Sequence, residues 1–145
     1  MNKFIYVSII NANKQKKKNM KKQINDVKKF HESFGIENKN FPSLNDKSFN
    51  LRFELMKEEN EEYKKACKDG DLVEIADALG DMMYILCGTI LSHGLQNKIE
   101  DIFQEIQSSN MSKLGSDGKP IFRQDGKILK GPNYFKPDIA SILNE

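Results

Sequence analysis

From Ile75 to Asn97 the chain carries only two charged side chains, Asp77 and Asp81, with His93 as one further titratable group. The remainder of that stretch is apolar or small, almost all the way round a helix. A helix of this kind must be buried in a bundle or at an oligomer interface. Its few charges therefore need an explanation. Glu74, Asp77 and Asp81 fall within about 60° of one another on a helical wheel, as a narrow acidic stripe on an apolar rod.

The preceding segment poses the same problem. Residues 48–68 read as a long helix that Gly70 breaks, and "ELMKEENEEYKKA" (residues 54–66) holds five glutamates. With Glu58 set at zero on the wheel, Glu62 falls at about 40° and Glu59 at about 100°. Leu51, Leu55 and Ala66 fall at about 20°, 60° and 80°, on the same side. Glu58, Glu59 and Glu62 are thus expected to face inward, and Glu54 and Glu61 to face water. Asp71 to Glu74 has the spacing of a capping box, which starts a second helix over roughly 72–92.

Six carboxylates on two inward faces cannot be buried bare, because desolvation costs several kcal/mol or more per unpaired ion. Lysines 57, 64, 65 and 68 mostly point elsewhere. The economical solution is a hard divalent cation such as Mg²⁺, with Mn²⁺ as the alternate, which takes oxygen ligands and bridges phosphates.

Shorter signals complete the outline. Residues 23–33 suit a short helix, with Ile24, Val27 and Phe30 three apart and Gly35 at its end. Phe30 and Phe34 are expected in the core. Pro42 marks a loop. Residues 97–109 carry Ile99, Ile102, Phe103 and Ile106 at helical spacing. Asp125-Gly126, between two short apolar segments, is a hairpin signal. The fold class expected is all-α, a four-helix bundle with a short C-terminal β-hairpin or extended tail.

The 145 residues suffice for one domain. Residues 1–19 read as a basic appendage, with Met20 as an alternative start, and 20–145 as the working domain. The net charge of +2 points to no polyanionic partner. Neither a nucleic-acid recognition motif nor a run as long as a membrane span is evident. Cys67 and Cys87, in no CxxC pattern, argue against a disulfide scaffold or zinc site and fit a reducing cytoplasm. The apolarity of 72–92 predicts a homodimer or homotetramer.

Glu58-Glu59-x-x-Glu62 followed by Glu74-x-x-Asp77 resembles the EExxE…ExxD signature of the all-α nucleoside-triphosphate pyrophosphohydrolases. That superfamily includes MazG, the dimeric dUTPases and dCTPases, and phosphoribosyl-ATP pyrophosphohydrolase. "EIADALGDMMYILCGT" is similar to its second metal helix, "VKKFHESFG" to its opening helix, and "SNMSKLGSDGKPIFRQDGKILKGPNYFKPDI" to the tail of its MazG-like members. The resemblance covers residues 24–139. It implies cleavage between the α- and β-phosphates of a nucleotide substrate. It further implies Glu59, Glu62, Glu74 and Asp77 as Mg²⁺ ligands, with Glu58 as a further ligand or the group that deprotonates water. Glu58 and Glu59 are then the catalytic candidates and Asp81 a support. Asn110 and Lys113, three apart, are candidates for binding phosphate. His31, Lys119 and Tyr134 are candidates for base or tail contacts. Two other readings are a phosphoribosyl-ATP substrate and a non-catalytic helical interaction module whose acids fix helix register.

Overall fold

The computed structural model describes residues 20–44 and 47–145, so expectations for residues 1–19 lie outside the described residues. The fold is all-α. Its described helices are α1 (Met20–Ser33), α2 (Phe49–Asp69), α3 (Leu72–Ser92), α4 (Ile99–Met111) and the short α5 (Ile139–Asn144). No strand is present among the described residues. The expected hairpin is reduced to an isolated antiparallel bridge between Phe122 and Ile128, closed over a turn by Gly126 N–H donating to Arg123 O at 2.8 Å.

α3 is the central element, with α2 packed along one side and α1 along another. The core is Ile24 and Val27 of α1 against Cys87, Ile90 and Leu91 of α3, sealed by Met20, Leu95 and Ile99. Of the described helices only α3 is long and apolar enough to cross a membrane, a length that the sequence reading had not credited. Its buried Ala78, Cys87, Gly88, Ile90, Leu91 and Ser92 make it the spine of this bundle instead.

The turn between α2 and α3 has two residues, and each has a physical task. Gly70 takes the left-handed conformation at φ 69°, where its N–H reaches the carbonyls of Ala66 and Cys67. Asp71 then caps α3, accepting hydrogen bonds from Val73 N at 3.0 Å and Glu74 N at 3.2 Å. So tight a turn makes the two helices antiparallel neighbours with a fixed register. α3 ends at Gly94 (φ 67°), where a side chain would strike the backbone of Phe41, 2.0 Å away from where its Cβ would lie. That close approach docks loop 36–44 over the end of α3, with Lys39 N–H donating to Leu91 O and Ser43 N–H to His93 O, both at 3.0 Å.

α4 and α5 associate with the folded tail. Ser109 Oγ donates to Phe135 O at 2.8 Å, and Gly131 N–H donates to Lys113 O at 2.9 Å. Asp138 caps α5, a helix too short to be signalled by periodicity.

One packing expectation is overturned. Phe30 and Phe34 are exposed, Phe34 at 69%. Their rings stack on each other 4.4 Å apart, and Phe30 meets Tyr84 edge-on at 5.7 Å. α3 is not enclosed on all sides. Leu72, Val73, Leu79, Met83 and Leu86 are exposed, because α1 and α2 cover only the faces turned toward them.

Candidate active site: an acidic seam between α2 and α3

The packed line of α2 is the buried Arg52 and Ala66 with the half-buried Glu59 midway between them, each seven residues from the next. An antiparallel helix pair packs along such a heptad line, which departs from a 3.6-residue wheel by about 20° per heptad. Leu51, expected inside, is instead 58% exposed. Glu58 and Glu62 are exposed as well, a correction to their expected inward orientation. They border an open groove of ≈ 430 Å³ together with Glu54, Lys57, Glu61 and Lys65.

Glu59 is therefore the centre of the site. It is half-buried, and its Oε2 is buried with no hydrogen-bond partner. Burial, then the charges of Glu62, Asp81, Glu58 and Asp77, hold its carboxyl above the usual carboxylate range. Four of the other five candidate acids thus act on Glu59, two from α2 and two from α3. Glu74 lies toward the far end of the seam, near Lys65. The Lys65 ammonium is held above its ordinary value by its hydrogen bond to Asp69 and also by the charges of Glu74 and Asp71.

The donor set is all oxygen, comes from two facing helices and leaves a buried carboxylate oxygen without a partner. That fits a hard divalent cation. Among the described residues no three carboxylate, histidine or cysteine groups already stand in a ligand-ready cluster. The exposed Glu58 and Glu62 flank Glu59 along α2.

Sequence reasoning missed Arg52. It is buried, and its Nη2 donates to His31 Nε2 at 3.4 Å, while Nε has no partner. Burial pushes its guanidinium below the usual arginine range, and among the described residues no carboxylate pairs with it. The signal was available: Arg52 stands one heptad before Glu59 on the packed line. His31 is correspondingly no surface contact. It is 2% exposed, and its Nδ1 donates to Asn38 Oδ1 at 2.6 Å, which leaves Nε2 to accept from Arg52. A base contact through His31 is excluded by that enclosure in the folded chain.

The remaining candidates lie on the α4–tail unit. Lys113 Nζ donates to Asn110 Oδ1 at 2.7 Å, so the expected pair forms. Among the described residues no hydrogen bond or ion pair joins it to the acidic seam. Lys119 is exposed beside the Gly115–Lys119 turn. Tyr134 is half-buried beneath Lys130, whose Nζ is 4.3 Å from the ring centroid.

An all-α chain with EExxE and ExxD acids on adjacent antiparallel helices defines the class of all-α NTP pyrophosphohydrolases. Residues 27–110 match the phosphoribosyl-ATP pyrophosphohydrolase family, and the chain belongs to it. Among solved structures it is similar to a "putative NTP pyrophosphohydrolase" from Exiguobacterium sp. 255-15, at 26% identity and a TM-score of 0.48. That match covers 84% of this chain and 94% of the other. No curated protein matches.

Proposed function

We propose that the protein is a Mg²⁺-dependent nucleotide pyrophosphohydrolase. It cleaves the α–β phosphate bond of a (deoxy)nucleoside triphosphate, giving the monophosphate and pyrophosphate, in a house-cleaning role in the cytoplasm. The family membership supports the reaction class. The observation that carries the metal is the partnerless, buried Glu59 oxygen with four other acids around it. Glu59, Glu62, Glu74 and Asp77 would hold Mg²⁺, with Asp81 in support. When bound, the ion neutralises phosphate charge and polarises the phosphoryl group.

The chain's own groups do the rest. Phosphoryl transfer needs positioning and charge compensation more than covalent help. Water attacks one of the two phosphorus atoms, the bond from that phosphorus to the α–β bridging oxygen breaks, and the other fragment leaves with that oxygen and the electron pair. Glu58, exposed at the groove and next to Glu59, accepts the proton that the water releases. Asn110 and Lys113 serve as the phosphate-binding pair, brought to the seam in an assembled oligomer.

That oligomer is a homodimer or homotetramer of the MazG-like, four-helix type. The bare side of α3 supports it. Beside it, Phe53 and Met56 of α2 and Met82 and Leu86 of α3 line a largely apolar groove of ≈ 520 Å³. The family match also supports the alternative reading, in which phosphoribosyl-ATP is the substrate.

The test is pyrophosphate release with Mg²⁺ over canonical and modified nucleoside triphosphates plus phosphoribosyl-ATP. Release should stop on chelation and in Glu62→Ala. Silence on every substrate from folded, Mg²⁺-loaded protein would overturn the reading and favour the helical interaction module.

A further inference from the structure

Beside the acidic seam, between α1 and α3, lies a separate cleft of ≈ 210 Å³. It is smaller than the roughly 300–1,000 Å³ that takes a drug-sized ligand, and so suits a single flat ring system. Gln23 and Asp26 of α1 form one wall, and Gly80, Met83, Tyr84 and Cys87 of α3 the other. Four observations bear on its occupant.

The first is position. Tyr84 stands three residues after Asp81 and seven after Asp77, so it neighbours both acids along one side of α3. A ligand whose phosphates met those acids would extend along α3 toward this cleft. The second is the aromatic surface. Tyr84 is 43% exposed and is braced by the edge-on ring of Phe30, which Phe34 stacks against in turn. Exposed rings held by neighbours are stacking platforms. The third is room. Nothing lies within 4 Å of the point where a Cβ at Gly80 would sit. The fourth is an unmet hydrogen bond. Gln23 Oε1 is buried without a partner, which an incoming N–H donor would satisfy. Asp26, held by Lys22 and Lys29, is a second acceptor on the same wall.

We propose that this cleft receives the base of the substrate: a planar heterocycle, stacked on Tyr84, that presents an N–H or amino group to Gln23. The inference rests on the pyrophosphohydrolase reading, since it takes the phosphates to lie at the seam. Gly80 gives the sharpest test, because a larger side chain there enters open space and replaces a helical glycine, which favours folding.

The experiment compares wild type, Gly80→Leu and Tyr84→Ala as full chains. It measures KM and kcat on the preferred nucleotide, competition by the matching free nucleoside, melting temperature and oligomeric state. KM should rise about tenfold in both variants, the loss expected when one base stack is removed. kcat should stay within about twofold for the same reason, since uniform binding alone is lost. The free nucleoside should compete in wild type and not in Gly80→Leu, whose melting temperature should not fall. An unchanged KM in Gly80→Leu, or an altered oligomeric state showing that a second copy covers the cleft, would overturn the base site. Either result with Mg²⁺-dependent release intact would leave the proposed reaction standing. Absence of release in wild type together with nucleoside binding would sink the reaction alone.

Discussion

The Glu59 carboxyl stands in a place that disfavours its charge, and His31 in a place that disfavours its protonation. The two respond to acid in opposite senses. Glu59 has a folded-state pKa above its unfolded value. Its ionisation therefore removes stability as pH rises through the raised value, and acid restores it. Glu59→Gln should accordingly stabilise the metal-free chain near pH 7 by about 1 kcal/mol, a rise of a few degrees in melting temperature. The same change should abolish Mg²⁺-dependent stabilisation. His31 is lowered, by burial first and then by the nearby Arg52 charge, against the favouring bond to Asn38. The unfolded chain takes up its proton near the ordinary value of 6.5 while the folded chain resists. Stability is therefore lost as pH falls from there toward the depressed value. His31→Gln should flatten that part of a melting-temperature profile, whatever it costs at pH 8. An unchanged slope would show that another group governs the acid response.

The helices themselves were largely legible in the sequence, because each carries its own punctuation. Gly35, Gly70 and Gly94 end α1, α2 and α3 with positive φ, and Asp71 opens α3. Removing that cap with Asp71→Ala should cost about 1 kcal/mol, read by chemical denaturation. The six acids stood out in the sequence because carboxylates on apolar helices conflict with burial, but only Glu59 is half-buried, while Glu58, Glu62, Glu74, Asp77 and Asp81 are exposed. What the sequence hid was the fine rotation of α2. A wheel of 3.6 residues per turn grouped Glu58 and Glu62 with Leu51, whereas the packed line follows Arg52, Glu59 and Ala66. One heptad of drift is enough to exchange an exposed neighbour for a buried one. Arg52 escaped because a cation is not looked for on a core face, and α5 because six residues carry too little period to detect.

Across the whole molecule, the missing cover is the main feature. α3 is buried where α1 and α2 meet it and bare along Leu72, Leu79 and Leu86, which recur every seven residues. That spacing would suit the seam of a helix pair, and in the proposed oligomer a second copy would supply the pairing helix without any new sequence. Leu79→Glu combined with Leu86→Glu should turn the assembly into monomers by light scattering. If Asn110 and Lys113 reach the acids only in the oligomer, the same change should lower turnover by about tenfold or more. Retained self-association would place the interface elsewhere. The two-residue turn at Gly70 and Asp71 carries a consequence of its own. One residue inserted there would swing α3 by about 100° and carry Asp77 and Asp81 away from Glu59. The exposed turns at Gly118 and Gly126, by contrast, have open space around them and can absorb extra length. Over time this gene should gain and lose codons in those stretches and almost never at the bend between its two acidic helices.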